Sequence, residues 1–167
     1  MLKKILIALA LIVLVFVLVV ASRPADFRIT RTATIAAPPD IVFPQVNDFH
    51  NWDAWSPWAK LDPAMKQTYE GAPSGVGAIY TWAGNSEVGE GRMTITGSET
   101  NELVQINLEF LKPFAAVNTT EFTFTPGTNQ TQVIWSMSGK NNFMAKAFGL
   151  FVNMDKMVGA DFEKGLA

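Results

Sequence analysis

From Asp26 onward the residues alternate between apolar and polar, and the alternation restarts after every turn signal. A period of two marks a strand with one face in a core and one in water. In "FRITRTATIA", Phe27, Ile29, Ala33 and Ile35 fall on one face, and Arg28, Thr30, Thr32 and Thr34 on the other. Met65, Gln67 and Tyr69 form the next such face, followed by Val76, Ala78, Tyr80 and Trp82. Gly89, Gly91, Met93 and Ile95 continue the series, then Val104, Ile106, Leu108 and Phe110. Phe122 with Phe124, and Val133 with Trp135 and Met137, complete it. "GAPSGVG", "WAGNSEVG", "SETNE" and "TPGTNQ" supply turn chemistry between the runs. The pattern predicts seven strands, and their short connections predict antiparallel neighbours. Nearly every strand has a wet face, so a single sheet covered on one side is expected.

The cover is found in the tail. Phe143, Met144, Ala147, Phe148, Phe151, Met154, Met157, Val158 and Phe162 recur at three- and four-residue steps, which predicts an amphipathic helix. Gly149 can divide it in two. "APPDIVFPQVNDF" predicts a short helix around 39–48, with Pro44 arguing for a break or a very short first turn. "NWDAWSPW" then holds three of the five tryptophans, Trp52, Trp55 and Trp58. Their spacing suits one side of a helical turn that Pro57 ends. Such a cluster serves either as a knob closing one end of a core or as the aromatic wall of a pocket.

Residues 5–21, "ILIALALIVLVFVLVVA", contain no polar or charged side chain. As a helix they span roughly 25 Å, the short end of what a bilayer core of about 30 Å needs. A signal peptide has a shorter apolar stretch and a small-residue cleavage site. Val19 and Ala21 make a weak site, so a membrane anchor in residues 1–25 is expected, with a soluble domain over 26–167. Lys3 and Lys4 favour a cytoplasmic N-terminus and a periplasmic domain. Arg23, Arg28 and Arg31 on the other side weaken that orientation and leave the cytoplasmic side open.

A net charge of -2 provides no footprint for nucleic acid. Cysteine is absent and His50 is the only histidine, so thiolate chemistry and multi-histidine metal sites are excluded. "GEG" and "GVG" lack the context of a dinucleotide loop, and no cofactor is implied. His50 with Asp48 or Asp53 is conceivable as a general base, but no paired nucleophile or set of oxyanion donors accompanies it.

The order strand, short helices, six strands, long C-terminal helix resembles the START-like helix-grip fold. More narrowly, the chain resembles the polyketide cyclase/dehydrase and lipid-transport branch of the SRPBCC proteins. The resemblance rests on "TIAAPPDIVFPQVNDFHNWDAWSPW", "GEGRMTI", "TQVIWSMSG" and "MDKMVGADFEKGL". It implies an α+β helix-grip domain: a seven-stranded curved antiparallel sheet, two short helices after the first strand, and a long helix across the concave face. It also implies a cavity between sheet and helix that holds an apolar molecule.

The inner-face residues would line that cavity. Tyr69, Tyr80, Trp82, Met93, Ile106 and Leu108 are expected there, with Phe110, Phe122, Trp135 and Met137. The tail adds Phe151 and Met154, and the tryptophan stretch adds Trp55 and Trp58 at the mouth. Gly89 and Gly91 leave space on that face or permit a bulge. Asn118 and Thr120 are polar positions on the same face. Either they orient a ligand's polar end, or a bulge near "KPF" turns them to solvent. Arg31 is expected at the rim with a carboxylate partner. The leading expectation is a single-pass bacterial inner-membrane protein whose domain binds a lipid or other apolar small molecule. A cyclase/dehydrase-type enzyme and a scaffold with a closed cavity are the alternatives.

Overall fold

The computed structural model describes residues 1–167. Helix α1 (Leu2–Ser22) is long and apolar enough to cross a membrane. Three residues separate it from β1 (Asp26–Ile35). Next come α2 (Pro39–Asn47), a 3-10 turn (Phe49–Asn51) and α3 (Trp52–Trp55). Six strands follow: β2 (Lys66–Gly71), β3 (Ala78–Ala83), β4 (Glu90–Glu99), β5 (Leu103–Lys112), β6 (Ala116–Gly127) and β7 (Gln130–Lys140). Helices α4 (Phe143–Phe148) and α5 (Met154–Gly165) end the chain.

The strands form one antiparallel sheet in the order β1-β7-β6-β5-β4-β3-β2. β2 to β7 run as a meander, and β1 closes the sheet beside β7. This is the α+β helix-grip arrangement. Pro38 precedes and Pro39 opens α2, where a missing N–H costs nothing. Pro44 is tolerated within the helix. Asn142 caps α4 and Asn153 caps α5, each side chain accepting from a backbone N–H three residues on.

The tail helix is divided after Phe148, and the two pieces part company. α5 packs on β1, whereas α4 packs on α1. Arg31 fastens α5. Its Nε donates to Glu163 Oε1 at 2.7 Å, and its Nη atoms donate to both Asp155 carboxylate oxygens at 3.2 Å and to the Asp155 carbonyl at 2.9 Å. The hydrogen bond to Asp155, more than any other cause, raises the guanidinium's pKa, and the same bond lowers that of the carboxyl. A side chain at Gly159 would collide with this guanidinium, so the helix has a gap where the clamp passes.

Candidate functional site

The strand register arranges the inner face in cross-strand rows. Arg31, Trp135, Phe122 and Val104 lie in one row. Ile29, Met137, Thr120, Ile106 and Ile95 lie in the next. Beyond them come Phe27, Gly139, Asn118, Leu108, Met93, Tyr80 and Tyr69. The last row, nearest β1's start, holds Ala116, Phe110, Gly91, Trp82 and Gln67.

The Trp135 row is filled. Trp135 is 2% exposed. Its ring stacks on Phe162 of α5 at 4.0 Å and 7°, and on Phe122 at 4.7 Å. Trp55 and Trp58 meet it edge-on at 5.7 and 5.9 Å. Trp52 lies behind, against Phe49 and Phe122. The cluster also closes the end of α2. Trp52 Nε1 donates to the Val46 carbonyl at 3.0 Å, and Trp55 Nε1 to the Gln45 carbonyl at 2.9 Å. Carbonyls of a last helical turn have no partner within their helix, so a polar stretch rich in tryptophan both packs the core and caps the helix. Trp55, Trp58, Phe122 and Trp135, expected as pocket walls, are thus packed against one another. Both faces of the Trp135 indole are covered, by Phe162 and Phe122, and Trp55 and Trp58 meet it edge-on, so no room for a guest remains between these rings.

The two outer rows are different. Phe27, Leu108, Phe110, Tyr69 and Trp82 stay only half-buried, although they face the helices. α5 covers the β1 side, α2 and α3 cover the far end, and α4 has turned away. What remains is an apolar strip along the sheet, open on one side. Tyr80, Met93, Ile106 and Met137 are buried along its inner margin.

Asn118 and Thr120 sit in this floor, 7% and 3% exposed. Pairing of β5 with β6 runs from Leu103↔Thr123 to Phe110↔Ala116 without a shift, so no bulge turns them outward. Neither side chain hydrogen-bonds within the protein. The sole fully enclosed side-chain polar atom lacking a partner is Trp135 Nε1. The Asn118 amide and Thr120 hydroxyl therefore reach open space. Gly139 makes room for Asn118, because a Cβ there would strike its Oδ1.

Several expectations change. Phe151 and Met154 do not face the sheet. They line a cleft of about 480 Å³ between the α1–β1 linker and the α4–α5 turn, with Arg23 and Lys146. The break after Phe148 is the cause. Gly91 leaves no space either: a Cβ there would collide with the Trp82 ring, which lies over it. Gly89 adopts φ +64, and a Cβ would meet the Lys112 carbonyl. Both glycines serve the local strand geometry, with a register shift between Glu90 and Gly91.

The polar groups at the β2 edge satisfy one another. Tyr69 Oη donates to Gln67 Oε1 at 3.0 Å, and Gln67 Nε2 donates to Asp53 at 3.2 Å. Burial first, then the charges of Asp53 and Asp48, raise the Tyr69 pKa. Burial does the same more strongly for Tyr80. Both phenols therefore stay neutral near pH 7. His50 stacks on Tyr69 at 4.2 Å, with Nδ1 2.7 Å from Asp48 Oδ1. This pair is more than half exposed on the histidine side. The sheet's outer face carries a polar cleft of about 370 Å³ among Arg92, Thr94, Asn107, Glu109 and Thr119.

Residues 26–167 match the family model described as polyketide cyclase / dehydrase and lipid transport. The chain is similar in structure to protein MLL2253 from Mesorhizobium loti, with TM-score 0.59 and 18% identity, covering 84% of this chain and 94% of that one. It is similar to CV1439 from Chromobacterium violaceum, with TM-score 0.58, 13% identity and coverage of 86% and 93%. Ms6760 from Mycobacterium smegmatis follows, with TM-score 0.56, 19% identity and coverage of 83% and 85%. At these identities the likeness is one of fold. No curated protein matches the chain.

Proposed function

Because the chain belongs to the polyketide cyclase / dehydrase and lipid transport family, we propose that it is a membrane-anchored module that binds a lipid or other apolar small molecule. The ligand lies along the strip of Phe27, Leu108, Phe110, Tyr69 and Trp82, and α1 is the anchor. The single observation that carries this reading is the pair Asn118 and Thr120, buried in an apolar floor and left without partners. A ligand site is typically apolar with a few placed polar groups. Their polar atoms open onto the strip, so a ligand's polar end can take the place of solvent there and hydrogen-bond to both. Both are neutral, so they can orient a carbonyl, hydroxyl or ester but cannot shuttle a proton. That favours binding over cyclase-type catalysis. The Asp48–His50 pair borders the strip at Tyr69, on which His50 stacks, but the imidazole is more than half exposed to solvent.

The test uses the full chain in detergent. Extraction and mass spectrometry should find an apolar molecule near stoichiometry, and an apolar fluorophore should bind saturably and compete with it. Leu108→Arg should abolish binding while circular dichroism stays native. A folded wild type with no saturable binding would leave the closed scaffold as the better reading.

A further inference from the structure

We propose that the end of the domain carrying β1's start docks on the bilayer that holds α1, and that its exposed apolar side chains enter the lipid interface there. The proposal rests on α1 being an anchor, and adds a second contact with the same membrane.

The topology brings four features to this one end. Asp26 pairs with Lys140, so the linker enters where β7 leaves. The Asn141 N–H donates to the Ala25 carbonyl at 2.8 Å and ties the linker down. The β5–β6 hairpin turns here as well, since Phe110 pairs with Ala116. A linker of three residues spans no more than about 10 Å, so this end cannot leave the surface into which α1 inserts.

Its surface is unsuited to water. Phe114 at the hairpin tip is 77% exposed, and Phe151 in the α4–α5 turn is 80% exposed. Leu111, Phe143, Met144 and Phe148 are exposed too. Large exposed apolar groups clustered on one end mark an interaction surface. The depth of α4 identifies its partner. α4 packs on α1, whose single buried residue is Val20. Phe16, Val17 and Val19 are the least exposed of α1's other large apolar residues. The contact therefore lies along the last turns of the apolar run, so α4 sits at the level of the hydrocarbon boundary. Phenylalanine and methionine facing outward at that level meet acyl chains.

The charges agree. Arg23, Lys140 and Lys146 form no ion pair, whereas Lys112 is paired with Glu90 and Arg28 with Glu121. Asp26 stands opposite Lys140. Arg23 and Lys146 share their cleft with no carboxylate. Cations at headgroup level beside apolar groups are the composition of an interfacial contact and favour anionic lipid. The half-buried rows of the strip lie at this same end, so its open side would face lipid.

The chain has no cysteine, so single cysteines can carry spin labels without background. Full-length Phe114→Cys, Phe151→Cys, Val13→Cys and Asn129→Cys are reconstituted into vesicles of phosphatidylcholine and phosphatidylglycerol. Asn129 lies in the β6–β7 turn, at the opposite end of the strands. The expected result is that labels at 114, 151 and 13 are relaxed several-fold more by oxygen than by a water-soluble nickel chelate, while 129 shows the reverse. A lipid-buried label at 13 with water-exposed labels at 114 and 151 overturns the docking and leaves the anchor standing. A label at 13 in water overturns both.

Discussion

Four residues along β7, about 13 Å, separate Trp135 from Gly139, and the inner face changes character between them. At Trp135, aromatic rings occupy every face of the indole, and even its N–H is enclosed without a partner. Beside Gly139, Asn118 is buried but unbonded, and Leu108 and Phe27 are only half covered. The same strands, the same alternation and the same residue classes thus build a sealed core at one end and an unfilled strip at the other. The helices make the difference. α5 is clamped to β1 by Arg31 and brings Phe162 onto Trp135, while α4 leaves the sheet for α1. The tightest packing lies at the first end, and the proposed guest is assigned to the second.

The comparison is broken most severely at Trp135. Truncating a fully buried tryptophan to alanine costs about 3–5 kcal/mol. Trp135→Ala and Trp52→Ala should each lower the denaturation midpoint by most of the domain's stability. Trp58→Ala, half-exposed at the cluster's edge, should cost much less. Chemical denaturation followed by circular dichroism measures all three. A larger loss from Trp58 than from Trp135 would contradict Trp135 as the centre of the sealed end.

Gly159→Leu comes next. Its side chain must displace the Arg31 guanidinium, so α5 should lift from β1 and loosen Phe162 from Trp135. Stability should fall, and the α5 amides should exchange faster with solvent. Arg31→Met, which removes the clamp without adding bulk, should give the same exchange pattern with a smaller loss. Unchanged exchange in α5 for both variants would contradict the clamp.

These two regions were legible in the sequence to different degrees. The faces of the strands follow from period two, because a strand side chain can only point in or out, except at Asn118 and Thr120, where the sequence leaves a bulge near "KPF" open and the unshifted β5–β6 pairing excludes it. Arg31 was readable as a rim residue, since a lone cation in an inner row demands a carboxylate. The departure of α4 was not readable. Phe143, Met144 and Phe148 repeat at the spacing of a core-facing helix, and periodicity reports which side is apolar, not what covers it. Packing inside the aromatic cluster was hidden for a similar reason: a wall and a plug use the same residues. Of the two readings open for Gly89 and Gly91, the irregularity holds, with a register shift between Glu90 and Gly91, and the open space does not, because a strand carbonyl and the Trp82 ring already fill it.

Asn118→Leu sharpens the comparison from the open end. The substitution removes a buried amide that the folded protein does not bond, so stability should stay within about 1 kcal/mol or rise. Affinity for a polar-headed apolar ligand should fall roughly tenfold, the worth of one hydrogen bond of about 1.4 kcal/mol. Gly139→Ala, whose Cβ would strike the amide, should weaken binding in the same direction. Equilibrium titration with the co-purified molecule decides it. Full affinity in both variants would mean that the ligand's polar end lies elsewhere.

The smallest effect is expected from acid. Arg31 donates to Asp155 and holds its carboxyl below the ordinary carboxylate range. The folded state thus prefers the charged form, and the unfolded chain binds the proton more readily. By linkage the contribution is complete above the ordinary pKa of about 3.9 and is lost as pH falls through the depressed folded value. Glu163 shares the same guanidinium at 2.7 Å, so protonating Asp155 weakens the clamp without releasing it. The site is open to solvent, which keeps the effect small. A shallow loss of stability below about pH 4 is expected in wild type, with the Asp155 part of it absent in Asp155→Asn. The neutral Asn118 and Thr120 have no proton to gain, so the strip should keep its affinity over any part of that range in which the domain stays folded. Parallel acid titrations of stability and of fluorophore binding separate the ends once more. Binding that fell ahead of stability would place a titrating group in the strip, and the Asp48–His50 pair against Tyr69 would be the first to test.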